Sequence, residues 1–295
     1  MTSRMPVLLT ALCLSLGCDA APSTDLDAAG PDGPAAGAGP GDDVEDDGAP
    51  ACDPARPEGP APRLMFVLDK SSSMGAGTHE SAPPLLGGPS RWARAHALVR
   101  QLSARVEGEA HFGALLFPSR YADVGGEAVA CDVLDVPDLP VGGYTAADLL
   151  ARLPAADAVD FAGGSPASQA MWMALQHLVT RPGAGARTAI VLVTDGGANC
   201  ADEDAPLAEF DADLADVVAF ARGSMEIPTF VVAADPADVQ KIPAVNPREA
   251  LAAIARAGGV PHPETAYFDV DDAEGLAAAI EDQLGLGAPA TAACP

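Results

Sequence analysis

Three short stretches of this chain gather oxygen-bearing side chains. They are Asp69-Lys70-Ser71-Ser72-Ser73-Met74-Gly75, Gly163-Gly164-Ser165-Pro166, and Asp195-Gly196-Gly197 at the end of the run AIVLVTD. Asp69, Ser71 and Ser73 occupy positions x, x+2 and x+4, which face one point if the loop is extended and then turns. Hard divalent cations select oxygen donors, keep several waters, and in the case of Mg²⁺ demand near-octahedral geometry at roughly 2.0 to 2.1 Å. Three hydroxyls (Ser71, Ser73, Ser165) and two carboxylates (Asp69, Asp195) suit one such cation, Mg²⁺ first, with Mn²⁺ or Ca²⁺ as alternatives. They leave one coordination position for an incoming ligand. A centre of low negative charge is electrophilic, so an acidic side chain of a partner protein is its natural sixth ligand. The plainer alternative is that the serines cap and turn while both carboxylates are solvated at strand ends.

No residues are expected to be catalytic. Ser165 sits in G-G-S-P-A, without the G-x-S-x-G elbow of serine hydrolases. There is no G-x-x-x-x-G-K-[ST] phosphate loop, and His79, His96, His111, His177 and His262 have no metal-binding spacing. A phosphatase-like hydrolase using Asp69 would need a second acid and a basic residue, which D-x-S-x-S does not clearly supply. Asp202, Glu203 and Asp204 read as a solvated loop.

The elements that must position these residues follow from hydrophobic patterning. Short apolar runs at 64–68, 111–117, 189–194, 229–233 and 267–270 alternate with amphipathic stretches at 91–106, 146–153, 167–180, 206–222, 247–257 and 273–284. Alternation of this kind predicts a parallel sheet wrapped by helices. LMFVL, AIVLV and FVVA are nearly continuous apolar runs, as suits central strands covered on both faces. Ser90, Thr145 and Ser165-Pro166 are expected to open three helices, and Gly258-Gly259 to end the fifth. One stretch, 128–136, follows a Gly125-Gly126 turn with no helix before it and is expected to be an antiparallel hairpin partner at the sheet edge. In such sheets ligands bind beyond the carboxyl ends of the strands. Asp69 and Asp195 are both expected there.

D-K-S-S-S-M after the first strand, G-G-S-P in a mid-chain loop and T-D-G after the fourth strand together resemble the von Willebrand factor A (vWA) family. Over residues 63–286 the resemblance implies a doubly wound, mostly parallel six-stranded α/β sheet with one antiparallel edge strand, and a metal-ion-dependent adhesion site. It assigns Ser71 and Ser73 as direct ligands, Ser165 in place of the family's usual threonine, and Asp69 and Asp195 as direct or water-mediated ligands. The function it implies is a metal-dependent protein-binding module; a scaffold whose ion only stabilises the fold is the alternative.

Composition bounds the setting. A formal net charge of −26 argues against unassisted nucleic-acid binding, which needs clustered Lys and Arg. Residues 1–18 read as a signal peptide, with Arg4 ahead of an apolar run far shorter than the roughly 20 residues of a membrane helix. Leu14-Ser15-Leu16-Gly17-Cys18 resembles a bacterial lipobox, so Cys18 would carry the lipid of an envelope lipoprotein, periplasmic or at the surface; plain secretion after cleavage near Ala20 or Ala21 is the alternative. Residues 19–62, rich in Ala, Gly, Pro and Asp, cannot bury a core and read as an acidic tether. Residues 287–295 read as a C-terminal tail. Cys52, Cys131, Cys200 and Cys294 then remain, with three connectivities open. From their positions and the adjacent termini of vWA-like domains, Cys52–Cys294 and Cys131–Cys200 are expected. A monomer is expected.

Overall fold

The computed structural model describes residues 60–75, 88–119, 131–158, 160–181, 183, 185–196, 198, 200, 210–236 and 246–287. Its strands are β1 (Arg63–Asp69), β2 (His111–Phe117), β3 (Leu139–Gly142), β4 (Thr188–Thr194), β5 (Thr229–Ala233) and β6 (Phe268–Asp269). The helices are α1 (Arg91–Val106), α2 (Ala146–Leu150), α3 (Ala167–Thr180), α4 (Phe210–Met225), α5 (Pro247–Ala257) and α6 (Ala273–Leu284). One 3₁₀ turn, Ser72–Met74, follows β1.

The apolar runs become central strands because both of their faces are covered: every residue of β4 and β5 is buried. Side chains of β1 alternate between two cores. Leu64, Phe66 and Leu68 pack with Trp92, Leu98 and Leu102 of α1 and Leu276 and Ile280 of α6. Met65 and Val67 pack with Met171 and Leu175 of α3, Leu214 and Val218 of α4, and Leu251 and Ile254 of α5. This period of two is what a strand covered by helices on both sides requires.

The sheet order is β3-β2-β1-β4-β5-β6, with β2–β3 antiparallel and every other pair parallel. It is therefore the doubly wound sheet with one antiparallel edge strand expected from the sequence. The order reverses between β1 and β4, the crevice where such sheets bind ligands. Register makes that crevice specific: Leu68 pairs with Val193, so Asp69 and Thr194 emerge side by side.

Helix starts largely follow the capping signals. Ser90 accepts from Ala93 N, and Thr145 and Asp148 form a reciprocal capping box. α2 ends at Leu150, three residues short of the expected stretch, and α4 runs on to Met225. Residues 206–209 lie outside the described set. Gly258 ends α5 as expected.

The edge strand differs from expectation. Residues 131–136 are not a strand, and 128–130 lie outside the described residues; β3 is Leu139–Gly142. Leu134 and Val136 are 44% and 63% exposed and bury nothing against the sheet, whereas Leu139 is 3% exposed. The Asp138 carboxylate accepts from Leu116 N at 2.7 Å, satisfying a β2 amide beside the short ladder. Gly113 allows β3 its close approach: a Cβ there would stand 2.6 Å from the Leu139 carbonyl oxygen. Among the described residues, no helix is long and apolar enough to cross a membrane.

Candidate functional site

Asp69 ends β1 fully buried, and both of its oxygens are engaged. Oδ1 accepts from the Ser71 amide at 2.8 Å. Oδ2 accepts from Ser165 Oγ at 3.0 Å and from Thr194 Oγ1 at 2.6 Å. After Asp69 the chain turns through Ser72–Met74, which brings Ser71 Oγ and Ser73 Oγ within 3.2 Å of each other. Ser73 Oγ donates to Asp195 Oδ1 at 2.9 Å. All five residues expected from the sequence thus lie in one hydrogen-bonded cluster at the switch point.

The third loop is tied in by its backbone as well, since Ser72 N donates to the Gly163 carbonyl at 3.2 Å. Gly163 has φ 106°, a left-handed conformation that a side chain would strain. Ser165 is not a helix cap here. Pro166 holds the N-cap position without a side-chain bond, and Ser165 Oγ is spent on Asp69 instead.

Two members of the cluster escaped the sequence reading. Thr194, the last residue of β4, is fully buried and turns its hydroxyl onto Asp69. Arg91, the first residue of α1, is 5% exposed and forms an ion pair with Asp195 Oδ2 at 3.2 Å. It also donates from Nη1 to the Ser73 carbonyl and from Nε to the Asp235 carbonyl, each at 3.0 Å. A signal for Arg91 was present: a cation in the first turn opposes the helix macrodipole, so it needs a compensating partner.

Burial pushes the Asp69 carboxyl up, against the hydrogen bonds from Ser71, Thr194 and Ser165. Burial, with the Asp69 charge, pushes Asp195 up to about 7, opposed by Arg91 and the Ser73 hydrogen bond. Two carboxylates this close repel unless a cation lies between or beside them. Lys70, 6% exposed, has its pKa lowered by burial while the charge of Asp138 raises it. It thus interacts with an acid of the loop before β3.

The other sequence candidates lie apart from the cluster. His177 Nε2 accepts from Val141 N at 3.1 Å, His96 packs edge-on against Trp92, and His262 packs against Phe268. His79 and Asp202, Glu203 and Asp204 lie outside the described residues, as do Cys18, Cys52 and Cys294. Cys131 and Cys200 are bridged, with Cα atoms 5.6 Å apart, as expected. The bridge joins the segment after β2 to the loop that follows Asp195.

The donor chemistry fits a hard cation. Two carboxylates and three serine hydroxyls converge, and they bond chiefly to one another. Among the described residues, no group of three or more His, Cys, Asp or Glu forms a competing metal cluster.

Comparison with protein-family models and with curated proteins gives no match. Solved structures do share the fold. A variant of the PilB minor pilin from Streptococcus sanguinis aligns with TM-score 0.50 at 13% identity, over 77% of this chain and 62% of that one. The pilus adhesin SpaC from Lactobacillus rhamnosus GG aligns with TM-score 0.50 at 14% identity, over 78% of this chain and 30% of that one. This chain therefore spans less than two thirds of either protein. The vWF domain of the type V pili tip protein Mfa5 from Porphyromonas gingivalis aligns at TM-score 0.48 and 11% identity, over 76% of this chain and 97% of that domain. At such identities the two alignments at TM-score 0.50 speak for the doubly wound α/β fold alone.

Proposed function

We propose that the chain is a vWA-type protein-binding module acting outside the cytoplasm, and that it engages an acidic group of its partner through one divalent cation, Mg²⁺ first. The observation that carries this reading is the convergence of Asp69, Ser71, Ser73, Ser165 and Asp195 at the β1/β4 switch point. Ser71, Ser73 and Ser165 would supply neutral oxygen donors, and Asp69 and Asp195 the negative charge. Bound there, the cation would supply an electrophilic centre for a carboxylate. Thr194 holds the Asp69 carboxylate in orientation, and Arg91 does the same for Asp195.

The setting agrees with this. The Cys131–Cys200 bridge suits an oxidising compartment, as would the signal peptide and Cys18 anchor read from residues 1–18. Two proteins sharing the fold are by name a minor pilin and a pilus adhesin. A nucleophilic Asp69 finds no support, because the residue is fully buried and both oxygens already accept hydrogen bonds.

The test is affinity capture by the full chain in Mg²⁺, eluted with EDTA. Captured protein should be released by EDTA and by free glutamate, and lost with Ser71→Ala/Ser73→Ala. Capture that survives both the chelator and the double variant overturns the proposal. A melting temperature that falls on chelation, with no competition by an acidic ligand, would instead assign the ion a purely structural role.

A further inference from the structure

We infer that Arg91 is a built-in counter-cation of the site, balancing the Asp195 carboxylate when no ion is bound and thereby weakening the affinity for a divalent cation. This rests on the cation reading above. Three observations lead to it.

The first is placement. A guanidinium 5% exposed at the start of a helix faces both a desolvation cost and an unfavourable macrodipole, so its position is explained only by what it pairs with. Among the described residues, the other arginine ion pairs formed by α1, Arg94 with Asp269 and Asp271 and Arg105 with Glu281, involve far more exposed side chains.

The second is geometry. Arg91 reaches three strand-end segments at once: Asp195 after β4, the Ser73 carbonyl after β1 and the Asp235 carbonyl after β5. Asp235 has φ 53°, a left-handed conformation unusual for a residue with a side chain, and its carbonyl is held by Nε. A planar fork with several fixed donors can do this, and a lysine cannot. The Asp195 carboxylate is thus divided, with Oδ2 on Arg91 and Oδ1 on Ser73.

The third is charge. Asp69, Asp195 and Arg91 sum formally to −1, where the two acids alone would give −2. A unit charge within a few Å of a doubly charged ion changes its affinity by about tenfold even if screened as in bulk water, and by more in a buried site.

A residue that merely bolts α1 to the sheet would, when replaced, lower stability equally with and without the ion. A counter-cation would not. The experiment is calorimetric titration of the full chain with MgCl₂, together with melting curves in EDTA and in Mg²⁺, for wild type, Arg91→Gln and Arg91→Lys. Arg91→Gln should melt lower than wild type in EDTA, regain more on adding Mg²⁺, and bind the ion at least about tenfold more tightly. Arg91→Lys keeps the charge and loses the three-way bridge, so it should bind Mg²⁺ no more tightly than wild type and melt lower in EDTA. Equal losses of melting temperature in both buffers, with an unchanged or weaker Kd in Arg91→Gln, overturn the inference. If Arg91→Gln fails to fold in either buffer, the lysine variant decides: Mg²⁺ binding as tight as wild type with an unchanged EDTA melting temperature refutes the bridging role. Absence of binding in wild type and Arg91→Gln alike refutes the cation reading itself; binding in wild type without tightening in Arg91→Gln refutes only the role of Arg91.

Discussion

Asp195→Asn should stabilise the ion-free protein at alkaline pH and destabilise it relative to wild type once Mg²⁺ is present. The substitution keeps the shape of the side chain and an acceptor for Ser73, and removes one of two buried negative charges. Asp195 is pushed up to about 7 in the folded state from 3.8, chiefly by burial and then by Asp69. A carboxyl whose folded pKa is raised favours folding fully below its unfolded pKa, and that contribution is lost as pH rises through the folded value. At pH 8 the ionised carboxylate therefore costs on the order of 4 kcal/mol relative to its protonated form. The value of about 7 already includes the opposing charge of Arg91, which keeps two backbone carbonyl acceptors in the variant, so up to about 4 kcal/mol of net stabilisation is expected in EDTA. That corresponds to several degrees in melting temperature for a domain of this size. The difference should shrink steadily as pH falls from 8 towards 4. In saturating Mg²⁺ the order should invert, because wild type gains stability by mass action and the variant lacks a ligand. Urea unfolding between pH 5 and pH 8, with EDTA or Mg²⁺, measures all of this. A variant less stable than wild type in EDTA at pH 8, or a difference that does not vary with pH, would refute the reasoning.

Thr194→Val removes a 2.6 Å donor from the buried Asp69 carboxylate without changing shape, and should cost about 1.5–3 kcal/mol in denaturant unfolding. Cys131→Ser with Cys200→Ser opens a bridge between residues 69 apart, and should cost about 4 kcal/mol by loop-closure entropy, read as a lower urea midpoint than that of the oxidised wild type. Gly113→Ala places a methyl 2.6 Å from the Leu139 carbonyl oxygen and 2.8 Å from Val141 N; it should cost about 1–3 kcal/mol and speed amide exchange in β3 above all.

The central strands were legible because burial on both faces demands an uninterrupted apolar run, and few other structures demand it. β2 spans His111–Phe117 and β5 spans Thr229–Ala233, as the runs alone suggest. The edge was not legible, because an edge strand needs only one covered face and a few ladder bonds. Ala128 to Val136 carries the more apolar pattern, yet Leu139–Gly142 forms β3, where Gly113 leaves room and Asp138 caps a neighbouring amide. Ser165 shows the same limit: its hydroxyl could serve a helix start or a carboxylate, and only the nearness of Asp69 decides.

The five oxygen-bearing residues lie in three separate stretches of the sequence. Their types and their positions at the ends of elements are properties of the sequence, since an acid directly after an apolar strand must emerge at the strand's carboxyl end. The sheet order decided that β1 and β4 are neighbours, and register then set Thr194 beside Asp69. Arg91 joined the site from a helix more than a hundred residues before Asp195. Its role depends on a charge being buried next to particular partners. Burial and proximity across the chain are consequences of packing, which no local pattern records.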